Sequence, residues 1–444
     1  MWLSKISEFL TNNSAVGNLT ILYKEGIMID PEKAYKKILE NTSRTVELKP
    51  CSLTDSIGKI LGEDVFATEN IPPFDKSTFD GFAFASKKTK NASAEKPITF
   101  EVATQIPAGE TIIKNKYGKL EGKAVRIMTG APLPEGFDCV IPFEKVEGYN
   151  DKIVLKIPLF YKENVSSKGE EIKKGEKVLE AGTKISPFHI GVLSSLGFRE
   201  IKIKKAPTIG IITTGNELVE VEKTLEKGKI RNSNKYYLLS YLQSIGYKTL
   251  FYGNVHDSLD DLKQKFHKAL TKVDFLITTG GVSVGDYDLV PRALKEIGAT
   301  QIFWRVNMKP GKFMHFSIFN NVPIFSLSGN PAAMTTSFKT MVEKPLLKSN
   351  GYSNIGNELM SESVSAFLKQ SLKKNSCSHW RLIRARRWIE DGKLYCKPVE
   401  KDKTGISSTI IGANGIIVIP PYSSPVKEND LVDFLSFNEL KEEF

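Results

Sequence analysis

Cysteine is scarce in this 444-residue chain, and the four present, Cys51, Cys139, Cys377 and Cys396, never stand in a C-x-x-C pair. That spacing suggests neither a zinc ribbon nor a disulfide framework; reduced thiols are the simplest account. No run approaches the roughly 18 apolar residues that a membrane helix needs. The opening stretch, MWLSKISEFLTNNSAVGNLTILYKEG, lacks the charged-then-apolar order of a signal peptide. A cytoplasmic protein with no membrane segment is expected. Internal repeats, low-complexity tracts, a long basic tail and RNP-like or zinc-finger patterns are missing too. The net charge is +11, but basic residues are spread along the chain and interleaved with acids, which disfavours nucleic acid. The balance favours an anionic partner, a phosphorylated small molecule among them.

What is present is an alternation of elements. DPEKAYKKILENT reads as a helix with Asp30 as N-cap and Pro31 at its first position. LTDSIGKILGEDVFA reads as a second helix, opened by Thr54 or Asp55. From ENIPPFDKSTFDGFAF to about residue 160, short β-like runs alternate with Gly and Pro, the pattern of a small β-rich domain. A Gly-punctuated connector leads to a helix from about Pro187 to Leu196. From Ala206 onward, buried-strand runs such as APTIGIITTGNEL and DFLITTGG alternate with helices such as SNKYYLLSYLQSIG and SLDDLKQKFHKALT. That order predicts a doubly wound, mostly parallel sheet. Short strands return from about residue 355 as a second β-rich unit. The fold class is therefore α/β plus β, in several domains.

Three loops fall at the carboxyl ends of predicted strands: TTGNE (Thr213–Glu217), TTGGVSVGDYD (Thr278–Asp288) and SLSGNP (Ser326–Pro331). Ligands of open α/β sheets bind at that edge. Glycines there let the backbone come close to a ligand, and N–H groups at helix starts favour phosphate. The candidate binding residues are Thr214 and Gly215; Gly280, Gly281, Val282, Ser283, Gly285 and Asp286; and Ser328, Gly329, Asn330 and Pro331. Neither G-x-G-x-x-G nor a P-loop occurs in these loops, so the anion cradle is of another kind. Glu217, Asp286 and Asp288 share the loops, and Asp257 ends a strand. Taken singly, Asp286 or Asp257 is more often a helix cap than a ligand. Carboxylates beside phosphate repel unless a hard cation lies between them, and Mg²⁺ would resolve the conflict. In NMKPGKF, a Pro-Gly turn separates Lys309 and Lys312 and could aim both at one anion. In the β-rich region, Asp80–Gly81 reads locally as a hairpin turn, and Thr129 as a strand end. These residues point to a Mg²⁺-dependent enzyme acting on a phosphorylated small molecule.

FDKSTFDGFAF, AVRIMTGAPLPEGFDCVI, SSKGEEI, GIITTGNEL, TTGGVSVGDYD, NMKPGKF and SGNPAA occur in one order. In that order the chain resembles the molybdopterin molybdenumtransferase family from about Met28 to the C-terminus. The resemblance implies an elongated chain with a molybdopterin-binding α/β domain (206–350), a β-rich domain (66–160), a linker domain (29–65 and 161–205) and a C-terminal β-barrel (355–444). Residues 1–28 would be an N-terminal extension. It implies a reaction in which adenylated molybdopterin and molybdate give molybdenum cofactor and AMP, with Mg²⁺. Gly280, Gly281 and Ser283 would cradle the phosphate side of the pterin. Asp288 would hold the metal with Glu217 and Asp257, and Lys309 and Lys312 would gather molybdate. Asp80 and Thr129 match the family's functional Asp and Thr. They would complete a composite site across a homodimer. Further implied partners are a molybdopterin adenylyltransferase and molybdoenzyme chaperones. Two other readings exist: a molybdopterin adenylyltransferase, which shares the α/β sheet but lacks the β-rich domain, and a non-enzymatic molybdopterin-binding scaffold.

The chain departs from the family pattern at three places. Ser328 stands where the family has the first proline of L-P-G-N-P, and GEE (Gly169–Glu171) where G-E-D is common. SHWRLIRARRW (Ser378–Trp388) replaces a G-R-x-E-F pattern, which puts His379 at the arginine and Arg381 at the glutamate, with Arg384 and Arg386 as candidate stand-ins. Ser407 and Ser408 are retained near the other expected oxyanion contact.

Overall fold

The computed structural model describes residues 28–110, 120–148, 151–256, 258–283, 288–353, 356–372, 376–399 and 410–437. The chain forms two compact units, Pro50–Ile203 and Met1–Lys49 with Lys204–Phe444. Helix α1 (Pro31–Thr42) opens the larger unit, and the Asp30 carboxylate caps it by accepting from the amides of Glu32 and Lys33. Its apolar positions Ala34, Tyr35 and Ile38 recur at helical spacing and are fully buried.

In the Pro50–Ile203 unit, β1 (Gly81–Phe84), β2 (Ile98–Ile106), β3 (Ala124–Ile127), β4 (Cys139–Pro142) and β5 (Lys152–Leu155) form one sheet in the order β4-β1-β3-β2-β5. Alternate residues serve two cores: Phe82 and Phe84 pack with Phe100 and Ile153, whereas Ala83 packs with Val125 and Val140. Two local expectations fail in this unit. The stretch after Leu53 makes only a single 3-10 turn, Thr54–Ser56, instead of a helix. Gly58 takes φ +77, and Ile60 and Leu61 bridge to Lys184 and Ile203, so strand-like pairing outweighs the helical spacing. Asp80–Gly81 is not a hairpin turn either. Gly81 starts a buried strand opposite Pro142, and a Cβ there would lie 2.0 Å from the Ile141 carbonyl oxygen, so that crowding requires the glycine. The connector helix α2 spans Pro187–Ser195, with Ser186 as N-cap.

The larger unit continues with β6 (Thr208–Thr214), α3 (Ser233–Ser244), β7 (Lys248–Val255), α4 (Leu259–Leu270), β8 (Phe275–Thr279) and α5 (Val290–Glu296). β9 (Thr300–Trp304), β10 (Met308–Lys309), β11 (His315–Phe319), β12 (Val322–Leu327), α6 (Pro331–Ser337) and α7 (Glu343–Ser349) follow. The sheet runs β7-β6-β8-β12-β11-β9. β7, β6, β8 and β12 are parallel, and only β11 runs against them. Helices cover both faces. Ile209, Ile211 and Phe325 pack on α1, α3 and α6 residues, while Ile212, Leu276 and Ile324 pack on α4 and α5. This is the doubly wound sheet that the strand–helix alternation predicts.

The last strands, β13 (Ser363–Leu368), β14 (Trp380–Glu390), β15 (Lys393–Pro398), β16 (Gly415–Ile419) and β17 (Leu431–Ser436), run in the order β14-β15-β13-β17-β16. Pairing of β16 back onto β14 closes them into a five-stranded barrel. Barrel residues Leu382, Ile416, Val418 and Leu435 join the core under the α/β sheet. No helix among the described residues is long and apolar enough to cross a membrane.

Candidate active site

The carboxyl ends of β6, β8 and β12 converge on a cavity of about 350 Å³. Its walls carry Thr214, Gly215 and Glu217 from the first loop, Gly280, Gly281, Val282, Ser283 and Asp288 from the second, and Ser328, Gly329, Asn330 and Pro331 from the third. Three loops far apart in sequence thus meet at one sheet edge. Gly285, Asp286 and Asp257, expected beside them, lie outside the described residues, as do Ser407 and Ser408.

Close packing between these loops explains two of the glycines. Gly280 takes φ +92, and a Cβ there would sit 2.4 Å from the Thr214 carbonyl oxygen. Gly329 lies against Gly280, with its own Cβ position 3.3 Å from the Gly280 Cα. The Gly280 amide donates to the Leu327 carbonyl at 3.0 Å, while the residue itself lines the cavity. The glycine allows close contact between the loops, and Gly281, Val282 and Ser283 line the cavity beside it. The indole of Trp304 donates to the Val282 carbonyl at 3.1 Å and fixes that turn from β9.

The first loop is held by its neighbours. Asn254 donates to the Gly215 carbonyl at 2.9 Å, and Lys229 to the Asn216 carbonyl at 2.8 Å. Residues Leu218–Val219 pair in parallel with Ile230–Arg231, folding an excursion of the chain back on Glu217. The excursion delivers Arg231, Asn232, Ser233 and Asn234 to the cavity wall, residues that sequence reasoning passed over. A signal existed: RNSNK opens α3, and Asn232 caps it by accepting from the Lys235 amide. Asn234 is buried and donates to the Gly329 carbonyl at 2.8 Å. Its Oδ1 has no protein partner among the described residues, nor has the hydroxyl of Thr279 in the same wall. Buried polar atoms left open in a cavity suit a polar ligand, since burying them unpaired costs about 1–3 kcal/mol each.

Glu217 and Asp288 line this cavity, and among the described residues no histidine or cysteine does. Such a donor set is all oxygen, the kind that holds a hard cation. Among the described residues no group of three His, Cys, Asp or Glu side chains could hold a metal.

A second cavity, of about 480 Å³, adjoins the first and shares Phe313, Ser328 and Asn330 with it. Both Lys309 and Lys312 line it, as the Pro-Gly turn between them led us to expect. Gly311, at φ +104, lies against α6, where a Cβ would meet the Ser337 hydroxyl at 2.6 Å. Asn330 roofs both cavities as the N-cap of α6, accepting from the amides of Ala332 and Ala333, with Pro331 in the first turn. Ser328 accepts from the Asn330 amide at 3.3 Å, so its hydroxyl supports the turn despite the missing proline.

The barrel supplies the far wall of this second cavity. β10 pairs in parallel with β14, Met308 opposite Trp380 and Lys309 opposite Arg381. Asn307 donates its side-chain N–H to the Ser378 carbonyl at 2.9 Å, and the Trp380 indole donates to Asp30 at 3.1 Å. This brings Ser378 and His379 to the lysines. The suggested stand-ins do not arrive: Arg384 is buried within the barrel and Arg386 is exposed on its surface, and neither lines the cavity.

In the other unit, Asp80 and Thr129 meet although 49 residues apart. One Asp80 oxygen accepts from the Thr129 amide at 2.7 Å and from its hydroxyl at 2.8 Å. These bonds, with the nearby Arg126 charge, hold the exposed Asp80 carboxyl below its usual range. The Arg126 guanidinium itself lies 4.9 Å from the centre of the Phe143 ring. Asp80 is therefore a fixed, ionised carboxylate.

Three family models match the chain: the MoeA N-terminal region (domain I and II) over residues 29–197, the probable molybdopterin binding domain over 210–348, and the MoeA C-terminal region (domain IV) over 377–437. A molybdopterin molybdenumtransferase of Bacillus subtilis is 36% identical over 373 residues, covering 83% of this chain and 85% of its own. One of Staphylococcus epidermidis is 36% identical over 423 residues, covering 94% and 97%. Among solved structures, the molybdopterin biosynthesis moeA protein of Pyrococcus horikoshii superposes with a TM-score of 0.79 at 27% identity, over 93% of this chain and all of its own. The matches on either side of the α/β domain are not expected of a free-standing adenylyltransferase, and that reading is set aside. With both flanking regions and the α/β domain matched along nearly its whole length, the chain belongs to the molybdopterin molybdenumtransferase family.

Proposed function

We propose that this protein is a transferase that inserts molybdate into adenylated molybdopterin, releasing AMP and giving molybdenum cofactor. The observation that carries the reading is the pair of adjoining cavities, one with two carboxylates among open polar groups and one with two lysines, separated by a single turn. A phosphorylated pterin and a free oxyanion need those two environments side by side.

Each group has a task that follows from its place. Ser283, Asn234 and Thr279 would bind polar edges of the pterin, and the packed glycine turn would hold it in one orientation. Positioning of this kind lowers the barrier by removing motional freedom before reaction. Glu217 and Asp288, with Asp257, would hold Mg²⁺, which would neutralise the phosphate charge as AMP departs. Lys309 and Lys312 would gather molybdate by their field. The dithiolene sulfurs of the pterin accept the metal, so no protein nucleophile is required.

The proposal extends to a homodimer in the cytoplasm, with Asp80 and Thr129 of one chain serving the cavity of its partner. Mixed dimers of Asp80→Ala and Glu217→Ala chains should then regain activity, because one intact site survives. Mixed dimers no more active than either parent would remove the shared site. A molybdopterin adenylyltransferase upstream and molybdoenzyme chaperones downstream are the partner classes that the reaction calls for. The primary test is AMP release from adenylated molybdopterin by the purified chain. Release that needs both molybdate and Mg²⁺ supports the transferase; tight binding with no release would favour a scaffold.

A further inference from the structure

The β-rich unit holds a positive group that the proposed reaction leaves without a task. Arg126 stands on β3, opposite Phe82 on β1. Its guanidinium lies 4.9 Å from the centre of the Phe143 ring, and the Phe82 ring props that ring edge-on at 5.2 Å. Phe143 is in turn tied to Asp80, because its amide donates to the Asp80 carbonyl at 3.2 Å. Strand register and one backbone bond thus set Arg126 beside the Asp80–Thr129 pair. Yet the two opposite charges do not join. Among the described residues Arg126 makes no hydrogen bond or ion pair, and its Nε–H is buried without a partner. One Asp80 oxygen accepts both Thr129 donors, and the other accepts from no protein group among the described residues.

We propose that Arg126 is a phosphate-binding residue, brought together with Asp80 and Thr129 to the partner's cavity, where its guanidinium takes phosphate oxygens of the adenylated substrate. Three features suit it to that task. The aromatic ring restrains the guanidinium in one plane, so little freedom is lost when an anion arrives. The N–H donors on the edge of a guanidinium form a fixed fork that matches two oxygens of a phosphate. A half-buried donor left unpaired costs stability in the empty protein, and a bound phosphate relieves that cost. The charge is also needed where it would arrive. Glu217 and Asp288 line the cavity of the larger unit, and a permanently charged group from the other chain offsets them at any physiological pH. The open Asp80 oxygen, held beside Arg126, is left to accept an N–H of the same ligand.

This inference rests on the proposed shared site, and its test separates the two. AMP and adenosine, which differ only by the phosphate, are titrated calorimetrically with Mg²⁺ into the full chain. The parent, Arg126→Gln and Arg126→Lys are compared, with thermal melts confirming the fold of each. Arg126→Gln should bind AMP about 30-fold more weakly than the parent, the size expected of one lost charge-assisted contact, with adenosine binding unchanged. Arg126→Lys, which keeps the charge but not the fork, should lie between. A glutamine variant with the parental affinity for AMP, or one that loses AMP and adenosine equally, overturns the role of Arg126. Mixed dimers then place the residue. Arg126→Gln chains should be rescued by Glu217→Ala chains and not by Asp80→Ala chains, since the last two lesions fall in the same unit. Rescue by Asp80→Ala chains would overturn the assignment. Failure of Asp80→Ala and Glu217→Ala chains to rescue each other would remove the shared site itself, and a parent that releases no AMP would remove the transferase reading.

Discussion

The two adjoining cavities share one wall and differ in everything else. In the first, Glu217, Asp288 and Arg231 stand among side-chain amides and hydroxyls; in the second, two lysines and a histidine face a largely apolar surround. Both would receive anions. On the proposed reading the first would present carboxylates to a phosphate and would take an added cation besides Arg231, whereas the second would rely on its lysines alone. On that reading the difference teaches how one sheet edge would keep two negative substrates apart until they react: each would have its own counter-charge, with Asn330 and Ser328 in the shared wall.

The sharpest way to break this contrast is at Asp288. Asp288→Asn keeps the shape of the side chain and removes one negative charge, and molybdenum insertion should fall about 100-fold or more with the melting temperature unchanged. Parental activity in single-turnover assays would sink the assignment. Next comes Gly280→Ala, which forces a Cβ toward the Thr214 carbonyl in a left-handed backbone. Urea unfolding should show a loss of about 1–3 kcal/mol, with weaker pterin binding and unchanged molybdate binding in the lysine cavity. If both ligands weaken equally, the cavities are not independent.

A third change probes the smaller unit. Thr129→Val removes the hydroxyl donor to Asp80 but keeps the backbone donor, so activity should fall about tenfold while Thr129→Ser stays near the parent. The last effect concerns stability alone and acts on neither cavity. Burial pushes His315, on β11, down to about pH 4. The unfolded chain takes up its proton near pH 6.5 and the folded chain only near 4, so stability is complete above 6.5 and is lost as pH falls through that window. By pH 5 the loss should be about 2 kcal/mol, seen as a lower urea midpoint. His315→Gln should flatten this dependence.

Much of the α/β framework was legible because local signals agreed there. Asp30 and Asn330 precede proline-opened helices, and strands such as TIGIITT bury both faces, leaving little to tertiary chance. The same strand ends located Glu217, Asp288 and the SGNP turn. Legibility failed where long-range pairing decides. The segment after Leu53 has helical spacing, yet its residues pair with Lys184 and Ile203, far along the chain. Asp80 looked like a turn residue because its partner, Thr129, lies 49 residues away in the turn after β3. Asn234 was hidden by an excursion whose return depends on one short pairing, and the approach of Ser378 to the lysine loop by a barrel strand that adds to β10 of another layer. In each case the missing information was a contact, and contacts between distant residues leave no periodic trace.

That pairing of β14 with β10 also has a consequence for how the chain is made. The turn carrying His379 is held by the start of β14, and β14 belongs to a barrel whose circle is completed by β17, ending at Ser436. On a ribosome, the lysine loop emerges and can fold into its sheet more than a hundred residues before that strand exists. The lysine cavity is consequently among the last features of the protein to be finished, and in a nascent chain the carboxylate-lined cavity would be complete before the one beside it.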